Sequence, residues 1–456
     1  MQVGTTFVAD SAAQRWAPVC GLLLGMTVAL PAWALDLSQA YRAAYENDAS
    51  VRAARAAAEA SRERLPQARA QRLPNVSLNA ARTSNDLTSK TQNVLGQPVT
   101  NQNQYYSGSQ TLSVRQPLYR PYLSALVRQA QAQVEDADAS LEGEEQSLVT
   151  RVGEAYFDAL LASDQLALVG AQKKNYATQL DAARKGFAAG SGTRTDVDEA
   201  QARVDLTLAQ ELEAQQNVEF TRRRLEVLMG QPAQALAALD VTRFSPRAPV
   251  PVSVEAWIER AEQASPQMLA LRAQLEAARL EIDKAQSGHK PTLDLVGQWS
   301  RTSSDSVTSV NSRYDNKSLG LQLSVPLYAG GYVSSTVRQA VALHERARET
   351  LEAARRDLGV RVHRELRGMT EGVLRIGALE QAVRSTEQAV LSNKKSFGAG
   401  LRTTLDVLNA EQQNTVALRD LAQARYLYLV SFLRLQSLVG ENRDTIVGET
   451  NRWLVQ

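Results

Sequence analysis

From Ser318 to Leu327 the chain reads SLGLQLSVPL. Leu319, Leu321, Leu323, Val325 and Leu327 stand at every second position, with Ser318, Gly320, Gln322 and Ser324 between them. A period of two puts one set on each face of a strand. The same alternation recurs three times. Leu293, Leu295, Gly297 and Trp299 alternate with Asp294 and Gln298, although Val296 interrupts the polar face. Ser107, Ser109, Thr111 and Ser113 alternate with Gly108, Gln110, Leu112 and Val114, and Val76, Leu78 and Ala80 alternate with Ser77 and Asn79. Each run is about 10 to 13 residues, the length of a tilted strand that crosses a bilayer.

A second period governs most of the remaining chain. Leu148, Val152, Ala155, Ala159, Ala162, Leu166 and Val169 recur at spacings of four and three, as do Leu366, Met369, Val373 and Ile376. That is the seam of a coiled coil, with many small residues that permit close packing. No proline interrupts Tyr122 to Lys185 or Tyr332 to Phe397. A helix of about 65 residues spans roughly 100 Å, wider than a compact domain.

The two kinds of segment occur twice, in the same order. FAAGSGTRTDVDEAQ at Phe187 is matched by FGAGLRTTLDVLNAE at Phe397, and LMGQP at Leu228 by LVGEN at Leu438. Each half reads helix, strand, loop, strand, very long helix, tight turn, helix. The repeats are expected over 35–230 and 254–440, separated by a proline-rich linker at 231–253 and followed by a tail at 441–456. Pro74 and Pro291 each end a helix and open an extended run.

The amino terminus carries an apolar run of about 14 residues ending at Ala32-Trp33-Ala34, too short to span a bilayer as a helix. It predicts a secretory signal peptide over 1–34. The single cysteine, Cys20, lies inside it and is not placed for lipid attachment, so the exported chain is expected to have no thiol. With 51 basic and 49 acidic residues, nothing points to nucleic acid as a partner. The three histidines, His289, His344 and His363, are far apart in sequence. No zinc spacing, phosphate loop or nucleophile–base set occurs, so neither catalysis nor a metal or other cofactor is expected.

The strands separate the possible architectures. Two hairpins on a soluble coiled-coil rod would leave long apolar faces and open edges in water, and a soluble periplasmic coiled-coil adaptor needs a β-rich module flanking one hairpin, whereas each half here has two membrane-length strands. A membrane barrel accounts for both faces. Tyrosines gather at the strand ends: Tyr105, Tyr106 and Tyr314 toward the polar loops, and Tyr119, Tyr122, Tyr328 and Tyr332 at the other end, as two membrane-interface girdles. Four strands cannot close a passage. Eight make a filled barrel, twelve the first with a lumen, and sixteen a wider one. The expected fold is mostly α with a membrane β-barrel built by several copies and continued by a cylinder of helices.

The repeated phrase is a helix–turn–helix tip at the far end of the long helices. Gly190 and Gly400 suit a left-handed residue after the helix. Thr193 with Asp196, and Thr403 with Asp406, have the spacing of a capping box with Asp in place of Glu. Capping alone accounts for one Thr and one Asp per tip, which leaves any further role open.

PLY at Pro117 and Pro326, VRQA at Val127 and Val337, AQSGHKPTLDL from Ala285 to Leu295 and the two tip phrases together resemble the TolC-like outer membrane efflux protein family over nearly the whole exported chain. The resemblance implies a homotrimer in outer-membrane lipid, with a twelve-stranded barrel, a periplasmic helical tunnel, and a belt formed by the linker and tail. It implies two kinds of partner: a periplasmic adaptor (membrane fusion) protein, and an inner-membrane ABC transporter or proton-driven pump. Carried over by position, Arg402 bonds Thr195 and Asp196 of a neighbouring hairpin and Asp406 projects into a constriction ring. Asn409 stands where a second ring aspartate can occur, and Phe397 where a tyrosine can bridge the gate. The chain departs from the pattern at both positions, which implies a less tightly held gate. The family serves type I protein secretion and multidrug efflux. The absence of a lipid-attachment cysteine leans toward secretion.

Overall fold

The computed structural model describes residues 34–455, except 234, 252 and 306–311. Residues 1–33 of the expected signal peptide lie outside the described residues, as does the tip of the second polar loop. The first half runs α1 (Leu37–Asn47), α2 (Ala49–Arg62), α3 (Arg64–Ala70), β1 (Asn75–Gln92), β2 (Pro98–Tyr119), α4 (Pro121–Ala188) and α5 (Arg194–Met229). The second runs α6 (Val254–Ala264), α7 (Pro266–Gln286), β3 (Thr292–Ser304), β4 (Ser312–Ser324), α8 (Tyr332–Gly398) and α9 (Thr404–Leu438), with α10 (Arg443–Asn451) closing the chain. At 68 and 67 residues, α4 and α8 each reach about 100 Å.

The strands form one antiparallel sheet in the order β1-β2-β3-β4. The chain therefore pairs its two hairpins side by side and leaves β1 and β4 as edges. The register aligns like with like: Val76 faces Val114, Leu78 faces Leu112, Leu293 faces Leu323 and Leu295 faces Leu321. On the opposite face Ser77 and Ser113 share a hydrogen bond of 2.8 Å between hydroxyls. The apolar row is open to the surroundings, with Leu78, Leu319, Leu321 and Leu323 all at least 65% exposed.

Two boundaries differ from the sequence expectation. The polar stretch between β1 and β2 is not a loop. The strands continue as an 18- and 22-residue hairpin that turns only at Asn93–Gly96. Cross-strand pairs such as Gln104 with Asp86 let a polar ribbon stay in register in water. Conversely, β4 ends at Ser324, before Val325 and Leu327, because Pro326 has no N–H to give a ladder.

The helices lie four abreast at two levels. Near the sheet, α2 and α3, then α4, α7 and α8 are successive neighbours. Toward the tips the order is α5, α4, α9, α8. The short helices thus lie along the long ones as expected. At the crossing of levels sits the main core, where Leu148, Val152, Ala155, Leu366, Met369 and Ile376 are buried as the seam requires. A Cβ on Gly153 would come within 2.1 Å of Leu433, so glycine sets the approach of α4 to α9. The linker and tail wrap this level. Tyr156 Oη is 2.9 Å from both the Leu35 and Ala237 carbonyls, and Trp453 packs edge-on to Phe244 and Phe432.

Candidate functional site: the barrel wall and the helical tips

The wall has a sharp upper boundary. On the apolar face of β4, Leu319 gives way to Lys317 and Asp315; on that of β1, Ala80 gives way to Arg82. Trp299, opposite Lys317, marks the boundary and donates its Nε1–H to Asp315 at 2.8 Å. Arg82 lies over the Tyr106 ring at 5.3 Å. Along β3, Thr292 to Trp299 is about eight residues, or roughly 20 Å of height at a 45° tilt.

The tyrosines divide differently from the expectation. Tyr106 shares the face of Leu112 and Val114. Tyr105 and Tyr314 fall on the other face, with Ser107 and Gln322, because strand parity is unbroken across all three pairings at that level. Tyr119 lies opposite Leu293 after a register shift at Pro117, which returns it to the apolar face. Tyr122, Tyr328 and Tyr332 are exposed just below the strands. Trp299 was already legible on the apolar row and is the residue that marks its upper limit.

The tips are two copies of one device. Gly190 and Gly400 have φ of 74° and 75°. Their N–H groups return to the Phe187 and Phe397 carbonyls at 3.0 and 2.9 Å. Both capping boxes form. Asp196 N donates to Thr193 Oγ1 (3.1 Å) while Asp196 Oδ2 accepts from Thr193 N (3.0 Å). Asp406 and Thr403 repeat this at 3.2 and 2.9 Å. The Thr193 hydroxyl and N–H hold the Asp196 carboxyl below the usual range, with a smaller contribution from the Thr404 hydroxyl of the other hairpin. The Thr403 N–H and hydroxyl, then Arg402, lower Asp406 likewise.

Within one chain Arg402 turns to its own hairpin, 3.6 Å from Asp406 Oδ1, and Thr195 is exposed beside Asp196. Asn409 is held by a residue that the motif did not reveal: Arg203 of α5 donates to Asn409 Oδ1 at 3.1 Å and also bonds Gln412. Phe397 is 37% exposed and offers only its ring. Two residues beyond Asn409, Glu411 is 4% exposed on its side chain and pairs with Lys394 of α8 at 2.7 Å. Arg203 and Lys394 were hidden among many helix-surface cations; only their heptad position could have flagged them.

No helix among the described residues is long and apolar enough to cross a membrane, and none of their His, Cys, Asp and Glu clusters could hold a metal. A two-faced sheet with free edges, continuous with helices of about 100 Å, defines one subunit's share of a β-barrel channel that extends into a helical tunnel. The chain belongs to the family described as Outer membrane efflux protein, which matches residues 40–231 and 257–441. It is 36% identical to the alkaline protease secretion protein AprF of Pseudomonas aeruginosa, over 90% of this chain and 85% of that protein. It is 32% identical to the outer membrane protein TolC of Vibrio cholerae, over 94% and 96%. Its fold matches the crystal structure of the outer membrane protein VceC of Vibrio cholerae with a TM-score of 0.75 at 22% identity, over 89% of this chain and 96% of that one.

Proposed function

We propose that three copies join their sheets edge to edge as a twelve-stranded outer-membrane barrel, continued by twelve helices per cross-section as a periplasmic tunnel. The supporting observation is the sheet itself. Four strands carry one apolar and one polar face and leave two unpaired edges, so closure needs other copies and twelve is the smallest count with a lumen. The exposed aliphatic row also disfavours a soluble coiled-coil adaptor. The tunnel serves as the exit duct of a type I protein secretion system, with a periplasmic adaptor and an inner-membrane ABC transporter as partners. The likeness to a protease secretion protein supports this over the second reading, the outer-membrane component of a multidrug efflux pump with a proton-driven partner.

In this reading the tips are the gate. Arg402 of one chain reaches Thr195 and Asp196 of the next, and three copies of Asp406 focus negative potential across the mouth. A partner that binds the open tips better pulls the equilibrium open. The test is complementation of Pseudomonas aeruginosa lacking AprF. Restored alkaline protease in the medium supports the secretion reading. Intact trimers in the outer membrane with no secreted protease overturn it, and a regained drug resistance in an efflux-deficient strain would favour the alternative.

A further inference from the structure

Where strands hand over to helices, a cavity of about 580 Å³ opens between the end of β2, the first turns of α4 and the end of α7. Arg72, Arg120, Arg128 and Lys290 line it against a single acid, Asp283. Two of the cations are committed: Arg128 to Asp283 at 3.3 Å, and Arg120 to Asp294. Arg72 and Lys290 have no carboxylate within 4.0 Å among the described residues. Both are exposed, yet their backbones are fixed, since the Arg72 carbonyl accepts from Gln116 Nε2 at 2.9 Å and Lys290 N donates to Ser287 at 3.0 Å. The start of α4 forms part of the wall, and no side chain caps it.

The upper rim is of the opposite character. Leu118 and Tyr119 close it, each about half exposed. Gln116 shares the face of Leu112 and Val114, and Tyr119 sits opposite Leu293, so the cavity reaches the side of the aliphatic row. Its cations therefore lie at the lower limit of the band that faces acyl chains.

We infer that this cavity binds the phosphate of a phospholipid headgroup from the periplasmic leaflet, a site that rests on the channel reading. A phosphodiester carries one negative charge and anionic oxygens. The Arg72 guanidinium supplies a fork of donors, Lys290 a mobile ammonium, and the uncapped end of α4 the positive end of its dipole. The acyl chains then run upward along Leu118, Tyr119 and Leu293. Free phosphate meets the same donors but leaves that apolar rim in water, so the geometry favours the lipid.

The test is native mass spectrometry of the purified full chain in detergent, with phosphatidylglycerol added, alongside conductance in planar bilayers. Wild-type trimers should retain the lipid. Arg72→Gln with Lys290→Gln should weaken retention about thirtyfold, at about 1 kcal/mol per cation, while trimer mass and conductance stay unchanged. Equal retention by the double variant overturns the site. Displacement of the lipid by millimolar inorganic phosphate, or phosphate retained without lipid, assigns the cavity to a soluble anion and overturns the lipid. Absence of both trimers and conductance defeats the channel reading instead, and the site with it.

Discussion

Arg203 Nη2 donates to Asn409 Oδ1 across 3.1 Å, joining α5 of one tip to α9 of the other within a single chain. A charged donor on a neutral amide at an exposed site is worth about 1 kcal/mol. If opening separates the two hairpins, Arg203→Ala shifts the closed-to-open ratio about fivefold toward open. Single-channel recordings should show longer or larger openings, and Arg203→Lys should sit between. Unaltered gating would mean that α5 and α9 move together.

Arg402 gives a separate test of the contact between chains. Its carboxylate neighbour within the chain is Asp406, at 3.6 Å. Arg402→Ala is expected to raise conductance through loss of the proposed bond to the next chain's Thr195 and Asp196. Combining it with Arg203→Ala should give additive shifts, because the two residues belong to different contacts. A conductance identical to wild type removes Arg402 from the latch.

The capping boxes make the tips responsive to acid. Asp196 and Asp406 are both held below the ordinary aspartate range by the threonine that caps each helix. A depressed folded value means that the unfolded tip binds protons more readily. The stabilisation is complete above the ordinary value, about 4, and is lost as pH falls through the lowered values. Hydrogen exchange of 186–200 and 396–410, corrected for intrinsic rates, should be flat from pH 8 to 5 and rise below about 4. Thr193→Ala and Thr403→Ala should cost about 1 kcal/mol each at their own tip and flatten that response.

Asp294 joins barrel to tunnel. Its side chain is 5% exposed and bonded by Arg120 through both oxygens, with Arg115 at 3.5 Å. Removing one partner of such a pair strands a buried charge, which costs about 3 kcal/mol, reduced to about 2 by the partial exposure of Arg120. Arg120→Ala should therefore lower the temperature at which trimers dissociate in detergent, and more so than Arg128→Ala, whose pair is exposed.

The periodicities carried most of this architecture into the sequence. Alternation at Leu319–Leu323 and heptads at Leu148–Ala162 are local patterns, and each became the element it announced. The hairpin above Arg82 was not legible because a polar ribbon in water has no apolar row to betray its period. Tyr105 and Tyr314 looked like interface residues because aromatic type is visible and strand parity at a distance is not. At the tips, the Thr–Asp spacing foretold the caps, which need only four consecutive residues. The bond from Arg203 to Asn409 depends on how two hairpins sit side by side, and residues 206 apart in sequence announce nothing of that.

The edges of β1 and β4 bear on how the molecule is made. A copy on its own carries Leu319, Leu321 and Leu323 uncovered beside unpaired backbone, a surface that would aggregate with any similar one it met. The wall can be completed only when sister copies and lipid arrive together. Completing the wall and joining the copies are therefore one event.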